Sequence, residues 1–260
     1  MQENTHIERI NTADPVEDYK KFQQAEKAQW RQIFSDSCIG NWKDNWFLDG
    51  EIASVSNSED GMQLTAGPQF LNNAHHLVLW SKNSFKGDIK IDFDYTRLDF
   101  EKRCVNIIYI FATGSGQAPY EKDIFSWKEL RREPAMSMYF DHMNTYHISY
   151  AAFDNMNPAE PDYVRARRYM PDSEGLENTD LLPDYFNNEL FEPGIEHHFT
   201  IIKRANELFM RISNAEKTRY YHWENSRTPD IDHGRIGFRH MSTRSARYKD
   251  IIISKLETES

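Results

Sequence analysis

Residues 89–96 read Ile-Lys-Ile-Asp-Phe-Asp-Tyr-Thr, so apolar and polar side chains alternate with a period of two. A β-strand points successive side chains to opposite faces of its sheet, and this alternation therefore predicts a strand with one buried face. Comparable runs recur along the chain, at residues 105–111, 198–204, 208–212 and 235–240. The sequence predicts that these runs are strands of an antiparallel sheet.

Turn sequences separate the runs, among them Asp49-Gly50, Asp60-Gly61, Lys86-Gly87-Asp88 and Pro193-Gly194. No helical segments of about 10–15 residues lie between the strands, as a parallel α/β fold would require. The predicted fold class is therefore all-β, a sandwich of two antiparallel sheets. Two long insertions, residues 115–135 and 154–195, interrupt the strands, and loops of this length are often functional.

The N-terminal region carries the one predicted helix, over residues 13–34. Asp14 is a suitable N-cap, and Pro15 follows at the first helical position. Apolar residues recur there at helical spacing, at Tyr19, Phe22, Ala25, Trp30 and Phe34. The predicted organisation is an N-terminal helical extension, 1–41, followed by a sandwich domain, 42–260.

The overall composition excludes several classes of protein. The 260 residues include 31 Lys and Arg against 41 Asp and Glu, and a net charge of −10 argues against a nucleic-acid partner. No run approaches the roughly 20 apolar residues of a membrane-spanning helix. Aromatic residues make up 13% of the chain, which argues against intrinsic disorder. The composition leaves the oligomeric state open.

No cofactor or metal site is predicted. The chain lacks a phosphate-binding glycine loop, and Cys38 and Cys104 do not have the spacing of zinc ligands. Residues 1–5 have neither the basic nor the apolar region of a secretory signal peptide. The predicted location is cytoplasmic, or periplasmic if Met1 replaces a removed signal peptide.

The stretch 163–169 is the first candidate for a binding surface. As a strand, it places Tyr163, Arg165, Arg167 and Tyr169 on one face. Two arginines between two tyrosines are difficult to bury without an anion, which favours an anionic ligand. Salt bridges to nearby acidic residues on an exposed sheet face are the alternative, and both interpretations stay open at this point.

The stretch 138–153 is the second candidate, because it is rich in His, Tyr, Asn and Asp. Its second half places His147, Ser149 and Ala151 on one face, and a small polar face leaves space for a ligand. Aromatic rings stack on the apolar faces of sugars, so the abundance of Tyr and Trp indicates a carbohydrate groove. Trp80 and Trp127 are the tryptophans expected to serve this purpose rather than core packing.

Six segments also resemble the YesU-like family of bacterial proteins, and they lie at residues 76–80, 87–89, 93–95, 146–151, 163–169 and 234–239. The resemblance extends from about Trp42 to Lys255. It implies a concanavalin-A-like jelly roll, encoded among genes for degrading uronate-containing polysaccharides such as rhamnogalacturonan or ulvan. The implied partner is an anionic oligosaccharide.

For such a substrate, the expected chemistry is β-elimination, by an oligosaccharide dehydratase or a lyase, which leaves an unsaturated uronate. Arg165 and Arg167 are expected to bind the substrate carboxylate, since the guanidinium group matches carboxylate geometry. His147 is the expected base or acid, and Tyr139 or Tyr163 takes the complementary role. The remaining predicted substrate-binding residues are His76, Asn106, His142, Arg239, Trp80 and Trp127.

Two alternatives stay open. A glycoside hydrolase needs two carboxylates roughly 5–9.5 Å apart, and Asp92 and Asp94 share one strand face. The chain lacks the Glu-x-Asp-x-x-Glu arrangement of jelly-roll glucanases, which weakens that alternative. A non-catalytic carbohydrate-binding module fits the same fold, although the cluster of titratable side chains is richer than binding alone requires.

Overall fold

The computed structural model describes residues 13–171, 173 and 175–257. The segment of residues 1–5 used for the localisation prediction lies outside these ranges. The described chain folds into two antiparallel sheets that pack face to face, so the predicted all-β sandwich is confirmed. None of its helices has the length and apolar character needed to span a lipid bilayer.

The first eight strands are, in chain order, β1 (Trp30–Asp36), β2 (Trp46–Asp49), β3 (Ser54–Ser58), β4 (Gly61–Thr65), β5 (Leu77–Lys86), β6 (Ile89–Arg97), β7 (Cys104–Gly114) and β8 (Met143–Phe153). The others are β9 (Tyr163–Tyr169), β10 (Asp180–Phe186), β11 (Glu196–Arg204), β12 (Glu207–Ser213), β13 (Thr218–Glu224), β14 (His233–His240) and β15 (Ser245–Leu256). Sheet A has the order β13-β12-β11-β6-β15-β4-β3, with β1 also paired to β15. Sheet B has the order β10-β9-β8-β7-β14-β5-β2.

The main core lies between the sheets and follows the alternation seen in the sequence. On β6, Ile89, Ile91, Phe93 and Tyr95 are fully buried and face sheet B. The intervening polar residues of β6 lie on the outer face of sheet A. Burial of the apolar set fixes the register, because a slip of one residue would expose all of it.

The N-terminal helix is shorter than predicted. Helix α1 (Pro15–Glu26) begins where Asp14 accepts hydrogen bonds from two backbone N–H groups, and Phe22 and Ala25 pack it on the outer face of sheet A. The prediction of a helix over 30–34 is wrong, because Trp30–Asp36 pairs as strand β1 with the second half of β15. An extended chain satisfies the edge hydrogen bonds of β15 there, which a helix cannot do.

The segment 115–142 covers part of the outer face of sheet B. It contains helix α2 (Met136–Phe140) and packs a second apolar cluster against β5 and β7. One buried ion pair holds it: the Arg131 Nε lies 2.6 Å from Asp49 Oδ2 on β2, and both side chains are fully buried. The same guanidinium donates to two carbonyls of its own segment. This pair therefore fixes the segment to the sheet.

Replacement of Arg131 tests this anchor. Arg131→Met leaves Asp49 buried without its cation, and breaking a buried pair on one side costs about 3–5 kcal/mol. We expect urea denaturation to show a loss of this size, together with faster proteolysis within 115–142. The control is Arg132→Met, because Arg132 pairs with Glu51 at an exposed position. That variant should stay within about 0.5 kcal/mol of wild type, and equal stability of the two variants would contradict the anchoring role.

Candidate functional site

Strand register builds two rows of side chains across the outer face of sheet B. The first row contains Phe47, Trp80, Gly237, Tyr109, His147, Arg167 and Asp180. The second row contains Asp49, Val78, Arg239, Ile107, Ser149 and Arg165. Each row runs from a half under segment 115–142 to a half on β8 and β9 that the segment leaves uncovered. We call these the covered half and the open half.

The covered half is built on stacked rings. Trp80 stacks on Tyr109 with centroids 5.4 Å apart, and Tyr139 of α2 stacks on Tyr109 at 5.7 Å. Gly237 makes room for this stack, since a Cβ there would lie 2.4 Å from the Trp80 ring. The Trp80 indole and the Tyr139 hydroxyl both donate to Asp49. These groups form a second core.

Trp80 and Trp127 are not exposed to bind a sugar ring, although the sequence predicted that they would be. Trp80 is 0% exposed because segment 115–142 folds over it. Trp127 belongs to that segment and is 3% exposed, because it packs into the same apolar cluster. Arg131 lies over the Trp127 ring at 4.2 Å and occupies one of its faces. The prediction that these two side chains escape core packing is therefore wrong.

The open half contains His147, whose side chain is itself only 4% exposed. Its Nε2 lies 2.6 Å from Ser149 Oγ, and its Nδ1 is hydrogen-bonded to the Tyr169 hydroxyl. Burial holds the pKa of His147 well below its usual range, and the charges of Arg167, Arg165 and Arg239 lower it further. The imidazole is therefore neutral at neutral pH.

Arg165 and Arg167 lie on the predicted face, but both have carboxylate partners. Arg165 Nη2 is 2.8 Å from Asp184 Oδ2, and Arg167 Nη2 is 3.1 Å from Asp180 Oδ1. The Arg165 guanidinium also lies over the Tyr163 ring, 4.7 Å from its centroid. The structure therefore contains the salt bridges to acidic residues that were the alternative to an anionic ligand. The side chain of Arg165 is still 20% exposed, and that of Arg167 is 12% exposed.

Arg239 lies at the boundary between the two halves. Its Nη2 donates to His76 Nδ1 at 2.7 Å and to the Pro134 carbonyl at 2.6 Å, and the guanidinium lies over the Tyr139 ring. Burial and the Arg239 charge lower the pKa of His76 to about 3, which keeps His76 neutral as the acceptor. The structure therefore places predicted residues His76, Tyr139 and Arg239 together, but beneath segment 115–142.

Two predicted site residues lie elsewhere. Asn106 faces the core between the sheets and donates to the Tyr95 hydroxyl at 2.8 Å, because it alternates with Ile107 and Tyr109 along β7. His142 precedes β8 at the end of the sheet, where it stacks on Tyr120 with centroids 3.7 Å apart. It lines a separate cavity of about 380 Å³. Neither residue belongs to the face that carries His147.

The carboxylates of the hydrolase alternative lie on the opposite side of the molecule. Asp92 and Asp94 project from the outer face of sheet A, where Asp92 accepts from Thr200 and Asp94 from His198, each at 2.7 Å. They do not share a surface with His147. This placement gives no support to hydrolysis by that pair.

Several residues of the face were missing from the predicted site. Tyr109 lies on the same face of β7 as Ile107, and Ser149 and Tyr169 lie on the predicted faces, so the period of two could have included all three. Asp180 and Asp184 belong to a stretch predicted as a loop insertion, and no sequence signal marks them as partners of the arginines. In the described ranges, no three His, Cys, Asp or Glu side chains come together as metal ligands. Independence from metal stays a prediction.

Comparison with known proteins identifies a family and a fold. A family model described as a domain of unknown function, DUF1961, matches residues 40–253. A protein of unknown function with a galectin-like fold from Bacillus subtilis aligns with a TM-score of 0.64 at 17% identity, over 88% of this chain and 100% of that one. No curated protein matches the sequence.

Two further solved structures are also similar. The exoplasmic/lumenal domain of VIP36, in a Ca²⁺- and Man3GlcNAc-bound form, aligns with a TM-score of 0.58 at 10% identity, over 89% of this chain and 92% of that one. Lectin II from Ulex europaeus aligns with a TM-score of 0.54 at 10% identity, over 86% and 98% of the two chains. At these identities the likeness establishes the jelly-roll fold.

Neutral buried histidines predict how stability depends on pH. A histidine whose pKa is lowered by folding binds fewer protons than the unfolded chain below about pH 6.5, so the free energy of unfolding falls as pH drops through that value. Each such group contributes a slope of up to about 1.4 kcal/mol per pH unit. His147→Gln should therefore reduce the slope of stability between about pH 6.5 and 4.5.

Urea denaturation across that range measures the slope. His233→Gln is the control, since His233 is exposed, and its curve should follow the wild type. A slope in His147→Gln as steep as that of wild type would show that His147 is not held neutral in the folded protein.

Proposed function

This chain belongs to the DUF1961 family, and on that premise we propose that it is a carbohydrate-binding protein whose ligand occupies the open half of sheet B. One observation carries the proposal: adjacent strands present Tyr163, Arg165 and Arg167 together on one face, with the buried Ser149 beside them. A partly exposed tyrosine ring supplies a surface for a sugar ring, and the hydroxyl and guanidinium groups supply hydrogen bonds to its oxygens.

The comparisons support this proposal at the level of fold. The VIP36 domain and the Ulex lectin are sugar-related proteins with the same sandwich, but a shared fold does not transfer a ligand. We also propose that the chain is related to the YesU-like family and that its ligand is a uronate-bearing oligosaccharide. A periplasmic or cytoplasmic location also stays a prediction.

Ligand binding is tested with variants of the open half. Arg165→Lys keeps the positive charge beside Asp184 but removes the planar guanidinium group with its several N–H donors. Because one charged hydrogen bond to the ligand is then lost, oligosaccharide binding should weaken roughly tenfold or more. Tyr163→Ala removes the ring and should weaken binding by roughly two- to tenfold. Calorimetric titration with uronate-bearing oligosaccharides measures both effects.

Tyr19→Ala provides the matched control, because Tyr19 is an exposed ring on α1, on the other side of the sandwich. Its affinity should equal that of wild type. Wild-type affinity in both Arg165→Lys and Tyr163→Ala would remove the open half as the binding surface.

A second candidate function is β-elimination at the same face, and the neutral His147 among three arginines favours it. In this proposal Arg165 and Arg167 bind the C6 carboxylate, which acidifies the C5 proton. His147 takes that proton, a double bond forms between C4 and C5, and the C4–O bond breaks. The leaving oxygen takes a proton from Tyr163, since the other predicted candidate, Tyr139, is buried and donates to Asp49.

Mass spectrometry of the incubated oligosaccharide separates the reactions. Elimination by a dehydratase removes one water without cleaving the chain, a lyase cleaves it with an unsaturated end, and a hydrolase adds water. His147→Gln should abolish product formation while the affinity for substrate stays within roughly threefold of wild type. Unchanged substrate after prolonged incubation, with binding intact, would leave carbohydrate binding as the function and exclude elimination. Saturated cleavage products would also exclude it.

A further inference from the structure

The cavity beside His142 lies at one end of sheet B and has a volume of about 380 Å³. We call it the end cavity. Its lining comes from the start and the end of segment 115–142, together with Asn144 and Pro171. None of these residues belongs to the rows that form the open half, so the end cavity is a separate site. Its volume falls at the lower end of the roughly 300–1,000 Å³ of ligand pockets, which suits a small molecule.

Backbone hydrogen bonds hold the walls of the end cavity together. The Gly114 N–H donates to the Lys122 carbonyl and the Ser115 N–H donates to the His142 carbonyl, each at 3.1 Å. Gly114 permits this close return of the chain, because a Cβ there would clash with the Glu121 carbonyl oxygen. Walls fixed in this way need not be ordered when a ligand arrives, which lowers the entropic cost of binding.

Four polar side chains of the end cavity have no bonds to other described residues. They belong to Gln117, Lys122, Asp141 and His142. Within the described ranges, none of the four makes a hydrogen bond or an ion pair through its side chain. Asn144 adds a directed donor, because its Oδ1 accepts from Arg168 Nη2 at 3.3 Å and its Nδ2 stays available to a ligand. A ligand can therefore bond to these groups without breaking a bond inside the described chain.

The charges and rings of the lining indicate which kind of ligand fits. Among the described residues that line the end cavity, Lys122 and Asp141 are the only Lys, Arg, Asp or Glu side chains, so their charges cancel. The His142 ring stacks on Tyr120 with centroids 3.7 Å apart, and Tyr120 packs edge-on against the buried Trp127 at 5.3 Å. A neutral sugar residue matches this lining, because it has apolar C–H groups for the rings and hydroxyl groups that both donate and accept.

We propose that the end cavity binds one neutral sugar residue and is a second carbohydrate site of the chain. Sugar hydroxyl groups donate to the Asp141 carboxylate and accept from Lys122 and Asn144, while the ring C–H groups pack on the stacked Tyr120 and His142. This inference goes beyond the proposed function, because it places a ligand away from the open half and requires no negative charge on that ligand.

Ligand-observed NMR titrations with the methyl glycosides of glucose, galactose, mannose and xylose test the site. At least one of these neutral sugars should bind the wild type. Asp141→Asn keeps the shape of the side chain but removes the charged acceptor, so it should weaken that binding roughly tenfold. His142→Ala removes half of the stacked pair and should weaken binding several-fold. Both residues are only half-buried, so the melting temperatures of the two variants should equal that of wild type.

Glu133→Gln is the matched control, because Glu133 is an exposed carboxylate of the same segment that does not line the end cavity. Its affinity should equal that of wild type. Arg165→Lys should also keep the affinity for the neutral sugar, since Arg165 belongs to the open half.

Wild-type affinity in both Asp141→Asn and His142→Ala would overturn the inference, as would the absence of binding by all four glycosides. The proposed function is judged separately, by the titration of the open half with uronate-bearing oligosaccharides. Binding lost in Arg165→Lys but kept in Asp141→Asn would place the neutral sugar on the open half, which overturns the inference and supports the proposed function. Tighter binding of methyl glucuronide than of methyl glucoside would overturn the assignment of a neutral ligand.

Discussion

The ion pair between Arg131 and Asp49 decides how much of sheet B faces solvent. Two charges are removed from water there, and hydrogen bonds from Trp80, Tyr139 and the Arg131 guanidinium itself satisfy most of their polar atoms. Because an unpaired member would be costly, the pair holds segment 115–142 in one place. Burial of the stacked rings, and the division of the face into a covered and an open half, follow from that position.

The open half depends on a different balance. Arg165 and Arg167 are neutralised by aspartates of β10, and Arg239 is not neutralised by any described residue. Burial holds the pKa of His147 well below its usual range, and the three arginine charges lower it further. This arrangement is compatible with the proposed carbohydrate binding and with the elimination proposed as the second candidate function.

The sandwich itself is common to proteins with different ligands, and its contribution here is geometric. Strand pairing places residues from distant parts of the chain in transverse rows, as with Arg239, Ile107 and Ser149. Rigid rows hold side chains without a loop that must be ordered on binding, which reduces the entropic cost of binding. Function then resides in the side chains of the rows rather than in the fold.

The alternation of residues by itself determined some of the strands in each sheet and the face on which His147, Arg165, Arg167 and Arg239 lie, because the side-chain period of a strand is a local property. It also placed Asn106 and Tyr109 on opposite faces of β7. The prediction of Asn106 as a site residue was wrong for that reason. The alternation did not determine where the helix ends. Residues 30–34 fit a helical pattern in the sequence, and only the tertiary structure pairs them with the edge of β15.

Tertiary structure alone decided which side chains of that face are open. Trp80 and Trp127 are buried where segment 115–142 docks on sheet B, and that docking depends on Arg131 and Asp49, which are 82 residues apart in the chain. The pairing of Arg165 with Asp184 depends on a register shift between β9 and β10. Such contacts are long-range, and periodicity along one strand carries no information about which distant charge or segment will meet it.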